Sequence, residues 1–414
     1  MTRIIFIQPK VGYKGASFWD ALGIGYIISY IKASGFSGEI EFYSGAFDSD
    51  DVIIKACSNA DFVGFGFTSP QMKHALHLSR KIKGINPNCK TVFGGWHPTA
   101  VPEQTASNPE VDYVVVGEGE EGMLKIINGE VGKDERIVFS EPIGNLDELP
   151  FPDRKAIKVE RHIQVAYREN GERITSIQGG RGCPFQCIFC SEYLMTKDLV
   201  RRRAPSKLVN EIEYVIDEYS VDLLKFVDPE INSSIQWVKD FCKEAIKRKV
   251  DVKFEANLHA TLIDREMLEL MKKANFRQID IGVETGSPRM LKVIRKGTTI
   301  EQIKKVFKWS KEAGLLRRAY FMVGFPDETP EDVELTFKLA EELDPDVVGM
   351  TILCPFPGTT LYDSNLYKEV DWSKADEYRN DLYRTRKFSN EELKAIQDKF
   401  VKAFKNKLCY RLKS

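Results

Sequence analysis

The sequence predicts an α/β protein made of two successive parallel sheets. A doubly wound, Rossmann-like domain spans residues 1–145, a linker and hairpin 146–174, a partial six-stranded β/α barrel 175–355, and a small, mostly helical region 356–414. Three observations carry this. Short β-branched or aromatic runs alternate with amphipathic stretches, the pattern of parallel strands covered by helices. The alternation is broken once, by the proline- and acid-rich run Asn145-Leu146-Asp147-Glu148-Leu149-Pro150-Phe151-Pro152, and then resumes. The 414 residues, 43% of them hydrophobic, suit roughly two to three domains with ordinary buried cores.

In the first domain the strand candidates are 3–7, 39–43, 62–67, 91–93 and 113–116, with helices at 22–33, 50–58, 72–83 and 121–127. A ligand of such a sheet lies beyond the carboxyl ends of the strands, at the switch point. The loops there are rich in small residues: Pro9 to Gly15 with Gly12, then Thr68-Ser69-Pro70-Gln71, Gly94-Gly95-Trp96-His97 and Gly117-Glu118-Gly119-Glu120. Glycine lets backbone approach a large flat ligand, although tight turning alone also calls for it. After the linker, Glu169-Asn170-Gly171 reads as a hairpin turn between strands at 163–167 and 173–177.

The second alternation gives strands at 175–178, 223–227, 252–256, 278–282, 319–323 and 347–353, with long helices such as 206–218 and 300–312. Six such units make a partial barrel with its site at the carboxyl ends of the strands. The first strand runs into Cys183-Pro184-Phe185-Gln186-Cys187-Ile188-Phe189-Cys190, a C-x3-C-x2-C loop. Three thiolates hold three corners of a four-iron, four-sulfur cluster and leave one iron open. A structural zinc site wants four ligands in paired spacings; no second C-x2-C or H-x3-H lies nearby, and His162 joins only by folding back. Acidic and glycine positions recur at later strand ends: Asp228-Pro229-Glu230, Glu255-Ala256-Asn257, Gly282-Val283-Glu284-Thr285-Gly286 and Gly324-Phe325-Pro326. Together they suit a polar ligand carrying an amine and hydroxyls.

Sixty basic against sixty-one acidic residues give a net charge of −1, which favours neither nucleic acid nor an anionic membrane. No apolar run approaches the roughly 20 residues of a membrane span, and the N-terminus is too promptly interrupted for a signal peptide. A cytoplasmic location is expected, with reduced thiols. Cys57, Cys89, Cys242, Cys354 and Cys409 stand singly and read as packing residues. The run Arg201-Arg202-Arg203 reads as a solvated or phosphate-contacting patch.

The cysteine motif with these downstream segments resembles the radical S-adenosylmethionine (SAM) superfamily over nearly the whole chain. The resemblance implies a 4Fe-4S cluster on Cys183, Cys187 and Cys190, with SAM chelating the open iron. It implies SAM contacts at Phe189, Asp228, Glu230, Asn257, Glu284, Gly324 and Phe325. The first domain resembles the cobalamin-binding domain of one subgroup, on Leu22-Gly23-Ile24-Gly25-Tyr26, Gly94-Gly95-Trp96-His97-Pro98-Thr99, Val116-Gly117-Glu118-Gly119-Glu120 and Leu149-Pro150-Phe151-Pro152. Cobalamin contacts are then expected at Gly12, Gly15, Thr68, Ser69, Gln71, Met72, Gly94, Gly95, Trp96, His97, Gly117, Glu118, Gly119 and Glu120. The D-x-H-x-x-G motif that supplies an imidazole to cobalt is absent from residues 1–145, so Gln71 and Met72 are candidates for the lower face, with His97 and His74 as alternatives.

The implied activity is methylation of an unactivated carbon: a 5′-deoxyadenosyl radical removes hydrogen, and methylcobalamin supplies the methyl group. Implied partners are an electron donor such as ferredoxin or flavodoxin and a substrate such as a protein or peptide side chain. A radical cyclisation, ring contraction or oxidation on the same scaffold is the alternative, and a cobalamin carrier or sensor is the alternative outside catalysis. Arg317, Arg318, Tyr320, Tyr362 and Tyr383 are candidate substrate contacts.

Overall fold

The first sheet has six parallel strands, β1 (Arg3–Gln8), β2 (Glu39–Ser44), β3 (Phe62–Gly66), β4 (Lys90–Gly94), β5 (Tyr113–Val116) and β6 (Ile137–Phe139), in the order β2-β1-β3-β4-β5-β6. The structure is a computed structural model that describes residues 1–11, 20–197, 199–367, 370–375 and 380–408. Alternation along β1 explains the two layers of helices. Ile4 and Phe6 join a core with Ile24, Ile28, Met123 and Ile126, from helices Leu22–Ala33 and Gly119–Ile127. Ile5 and Ile7 face the other way, against Ile53, Leu78 and Ile82 of helices Asp50–Ala56 and Met72–Ile85. The order reverses between β1 and β3, so the crevice at their carboxyl ends is the switch point. β6 lies beyond the five strands the sequence pattern gives; three residues are too few to show a period.

The expected hairpin is instead a helix, Val159–Asn170, which buries Val159, His162, Ile163, Val165 and Ala166 at helical spacing. Gly171 closes it in the left-handed conformation, φ 74°. A glycine after a polar run fits a hairpin turn and a helix C-terminus equally, and the three- and four-residue spacing of the apolar positions decides.

The second sheet contains β7 (Ile174–Ile177). After β8 (Gly180–Arg181) and β9 (Arg201–Arg202), an antiparallel pair, come β10 (Leu223–Phe226), β11 (Lys253–Leu258), β12 (Phe276–Glu284), β13 (Leu316–Val323) and β14 (Val347–Ile352). The larger strands run β14-β13-β12-β11-β10-β7, all parallel and in sequence order, an open six-stranded barrel. Its helices start on side chains that accept from their first turn: Ser234 from the Trp237 N–H, Asp264 from Met267, Thr299 from Gln302 and Thr329 from Asp332. Each cap stabilises its helix by about 1 kcal/mol. Between sheet and helices, Phe226, Phe241, Phe254 and Phe276 are fully buried with ring centroids 5.2 to 6.2 Å apart. The C-terminal helix Asn390–Ala403 begins on the Ser389 capping box and packs Phe400 on Phe321 of β13.

Buried polar contacts join the two sheets. The Thr175 hydroxyl donates to Asp20 at 2.6 Å, and Arg154 of the linker, 1% exposed, donates to the Ser176 carbonyl at 2.8 Å and to Glu211 at 2.9 Å. The Arg201-Arg202-Arg203 run is no solvated patch. Arg201 pairs with Glu118 of the first domain, Arg202 with Asp228 and Glu230, and Arg203 with Glu211. Alternate residues of an extended segment point to opposite sides, so the three adjacent arginines reach different acidic neighbours, four carboxylates in all. No helix of the described residues is long and apolar enough to cross a membrane.

Candidate functional site

The cysteine loop is anchored at both ends. The β8–β9 pair closes its base, and Gly182 turns into it at φ 97°, where a Cβ would stand 2.3 Å from the Leu199 carbonyl oxygen, so only glycine fits. Inside the loop, the Ile188 N–H donates to the Ile294 carbonyl at 3.2 Å and Phe185 stacks on His259, centroids 3.5 Å apart. Cys183, Cys187 and Cys190 all line one cavity of about 830 Å³ that fills the barrel lumen. Burial pushes the Cys183 thiol up to about 12 and the Cys187 thiol up to about 11. Cysteine ligates metal as thiolate, so cluster binding here would be coupled to loss of these protons. Among the described residues no three His, Cys, Asp or Glu side chains converge on one metal ion. His162, the remaining zinc candidate, lies instead in helix Val159–Asn170 with its ring edge-on to Phe47 at 4.8 Å.

At the mouth of the lumen, Glu284 ends β12 in the left-handed region, φ 67°, a conformation that costs a non-glycine residue on the order of 1 kcal/mol and marks functional sites. Its Oε1 accepts from the Lys296 ammonium at 2.7 Å. Gly282 leaves room for this pair, since a Cβ there would stand 2.4 Å from Glu284 Oε1. Burial alone would lower the Lys296 pKa, but the Glu284 carboxylate outweighs it and raises it. Lys296 also lies 5.9 Å from the Phe189 ring centre.

Of the expected SAM contacts, Phe189, Glu230, Asn257 and Glu284 line this lumen. Asp228 does not; it is fully buried, bonded to Arg202 at 2.8 Å and accepting from the Gly179 N–H at 2.9 Å, and it borders the neighbouring cleft. Gly324 and Phe325 are likewise outside the lumen. Gly324 sits at φ 98° under Tyr383, its N–H donating to Glu328 at 2.6 Å, and Phe325 is fully buried behind Phe189. At the carboxyl end of β13 it is Phe321 and Met322 that reach the cavity, because the chain turns away at Gly324. Arg318 and Tyr320 line the lumen too, whereas Arg317, on the opposite face of β13, pairs with Asp346. Tyr383 is buried and Tyr362 stacks with Tyr367.

A second cavity, a cleft of about 510 Å³, opens at the switch point of the first sheet. Thr68, Gln71, Gly94, Gly95 and Trp96 line it on one side, and Gly117, Glu118, Gly119 and Glu120 on another. Its floor is apolar, with Phe6, Val92, Val115 and Met123, and depends on missing side chains. A Cβ on Gly64 would stand 2.8 Å from the Phe6 ring, and one on Gly119 2.5 Å from Ile27. A glycine-cut apolar slot beneath an open switch point fits a large ligand with a protruding tail. Ser69, Met72 and His97 are not part of its wall, and Gly12 and Gly15 lie outside the described residues. His97 Nδ1 is 2.9 Å from the Ser69 hydroxyl, and burial pushes its pKa down to about 4. His74 is held by Asp50 at 3.0 Å and by the Lys10 N–H at 3.0 Å, away from the cleft. Gln71 donates to the Pro9 carbonyl and accepts from the Thr68 N–H at 2.9 Å, so its amide is already engaged.

The cleft's far wall comes from the barrel: Gln178, Arg181, Glu192, Thr196 and Asp228. Arg181 bonds Glu118 at 2.9 Å and Glu120 at 2.7 Å. Glu192, two residues past Cys190, has its carboxyl pushed up to about 7 by burial and by Asp228. Pro229 and Asn257 belong to both cavities.

A doubly wound domain with a glycine-lined cleft is thus set against the thiol-lined mouth of an open barrel, and the two cavities adjoin. The model of the radical SAM superfamily matches residues 177–340, and that of the B12 binding domain matches residues 11–127. The chain is 30% identical to the anaerobic magnesium-protoporphyrin IX monomethyl ester cyclase of Rubrivivax gelatinosus, over 87% of this chain and 69% of that protein. It is 30% identical to an uncharacterized methyltransferase of Pyrococcus horikoshii, over 89% and 83%. The solved structure of the radical SAM methyltransferase TsrM from Kitasatospora setae, with cobalamin and a [4Fe-4S] cluster bound, shares the fold at 18% identity, with a TM-score of 0.72 over 87% of this chain and 77% of that one. The chain belongs to the radical SAM superfamily, among its members with a B12-binding domain; it is a radical SAM enzyme whose cofactors are a 4Fe-4S cluster, SAM and cobalamin.

Proposed function

We propose that the protein is a cobalamin-dependent radical SAM methyltransferase acting on an unactivated carbon of a substrate held in the barrel lumen. The supporting observation is the shared wall at Pro229 and Asn257, which makes the cobalamin cleft and the lumen direct neighbours. When bound, the cluster with SAM supplies hydrogen abstraction from the substrate and cobalamin supplies the methyl group. Cys183, Cys187 and Cys190 hold the cluster, and the Glu284–Lys296 pair with Asn257 borders SAM. Gly64 and Gly119 keep the cobalamin slot open, and the Arg181 and Arg201 bonds to Glu118 hold the cleft shut against water from the barrel side. A protein or peptide side chain is one substrate the lumen could admit, and ferredoxin or flavodoxin in a cytoplasmic setting would supply electrons.

A second reading, radical cyclisation or oxidation without methyl transfer, is favoured by the likeness to the Rubrivivax gelatinosus cyclase. The test is anaerobic incubation of the cluster- and cobalamin-loaded protein with methyl-labelled SAM and extract of the source cells. Label on a product, with S-adenosylhomocysteine released, is the expected result. SAM consumption without S-adenosylhomocysteine would move the assignment to the second reading, and failure to take up a cluster would leave only a cobalamin carrier or sensor.

A further inference from the structure

The interior of a β/α barrel is normally packed with branched apolar side chains. Here adjacent strands point charge into the lumen: Lys225 from β10, Glu255 from β11, Asp280 from β12 and Arg318 from β13. Strand register brings them together. Lys225 pairs with Glu255 across β10–β11, and Asp280 is level with Asn257 on one side and Arg318 on the other. Stability does not account for such a set, because exchanging a buried ion pair for apolar residues of the same volume is often neutral or stabilising.

The donors and acceptors in this cluster are unequally used. Asp280 Oδ2 accepts from both Arg318 Nη1, at 2.9 Å, and Lys225 Nζ, at 3.3 Å, while its Oδ1 accepts from the Gln278 amide at 2.7 Å. Asp280 Oδ2 is therefore the point at which the two cations meet. The neighbouring Glu255 is taken by Arg277, whose Nε and Nη2 reach it at 3.1 and 2.6 Å. Arg318 meets Asp280 through a single nitrogen, with the Tyr320 hydroxyl 3.2 Å from that same nitrogen, and its Nε is buried with no hydrogen-bond partner among the described residues. A guanidinium fork that uses one prong on a protein carboxylate keeps the geometry for a second, bidentate anion.

We propose that Arg318 and Lys225 receive an anionic group of the substrate, a carboxylate or a phosphate, deep in the lumen beneath the cysteine loop. This rests on the reading of the lumen as the substrate site and adds the class of substrate. Asp280 acts as the resident counter-ion that the incoming anion displaces in part. Three residues of β12, Ile281 to Val283, lie between Asp280 and Glu284 at the mouth, so the anionic group sits on the order of 10 Å below the Glu284–Lys296 pair. Tyr320 adds a hydroxyl beside the anion, and Phe189 and Met322 wall the less polar part of the substrate.

The experiment is anaerobic calorimetric titration of the holoenzyme, loaded with cluster, cobalamin and SAM, with inorganic phosphate and separately with acetate, against chloride of equal ionic strength. Saturable binding of one of them is expected, and the better anion identifies which of the two groups the substrate carries. In Arg318→Gln and in Lys225→Gln binding should weaken about tenfold or more, and in Asp280→Asn it should tighten by a similar factor, since a competing charge has gone. The Asp280→Asn variant separates the proposal from a merely structural network, in which all three substitutions would lower the melting temperature and none would tighten binding. Absence of saturable binding to the wild type, or equal binding by all variants, overturns it. Methyl transfer is measured separately, so anion binding without a methylated product would sink the proposed reaction and leave this site standing.

Discussion

Glu118 makes the heaviest demand on the junction between the two domains, and its replacement by glutamine tests how they are held. The carboxylate is 5% exposed, and it accepts from Arg181 Nη1 at 2.9 Å, from two nitrogens of Arg201, and from the Ile143 N–H at 3.1 Å. Burial raises its pKa, but the Arg201 hydrogen bonds and the Arg181 charge outweigh burial and hold it below the ordinary 4.5. Glu118→Gln keeps the shape, turns an amide N–H₂ toward a guanidinium, leaves Arg181 with Glu120 alone and takes from Arg201 the carboxylate it pairs with. Breaking one partner of a buried ion pair costs about 3–5 kcal/mol. Spread over a unit of this size, that is a fall in melting temperature on the order of 10 °C. Because the folded pKa is depressed, the contribution is fully present above the ordinary value and is lost as pH falls through it toward the folded one. The gap between wild type and variant should therefore be constant at neutral pH and close below 4.5. Thermal unfolding from pH 3 to pH 8, with limited proteolysis at the 145–153 linker as the readout of docking, measures both. A variant that melts within about 2 °C of wild type at pH 7 and is cut no faster would refute the account, because it would mean the pair contributes under about 1 kcal/mol.

Other expectations are direct. Alanine at Cys183, Cys187 or Cys190 should abolish the visible absorption of the reconstituted cluster while cobalamin binding survives, as judged by absorbance after desalting; loss of both would point to a folding defect in place of lost ligation. Gly64→Val pushes two methyl groups into the cleft floor beside Phe6 and should weaken cobalamin retention at least about tenfold, with the far-ultraviolet circular dichroism unchanged. Glu284→Gln removes the partner of a buried ammonium and should weaken SAM binding about tenfold in calorimetry without loss of cluster; unchanged affinity would show that the Glu284–Lys296 pair serves packing only.

What was legible in the sequence was whatever the chain writes locally. Short β-branched and aromatic runs marked β1 to β5 and the six large barrel strands. The cysteine loop was legible because its three side chains lie within eight residues. Lys225 and Asp280 are 55 positions apart and meet only through strand register, and Lys296 reaches Glu284 across an intervening helix, so no spacing rule could have paired them. Gly324-Phe325, an expected SAM contact, lies off the lumen wall for a related reason: the positive φ at Gly324 turns the chain under Tyr383, and a sequence does not print which way a glycine bends.

The glycine- and acid-rich loop 117–120 was expected to serve cobalamin alone, and its geometry argues for a double task. Its glycines line the cleft, while the carboxylates of Glu118 and Glu120 reach across to Arg181, the residue immediately before Gly182 and Cys183. The backbone that lines the cleft is the same backbone that carries those carboxylates. Arg181 in turn belongs to β8, which fixes the start of the cysteine loop. The cleft and the cysteine loop are thus joined by one pair of buried salt bridges, a short connection. Stiffness there suits the proposed reaction, in which a methyl donor has to stay aligned with a substrate carbon while water is kept out.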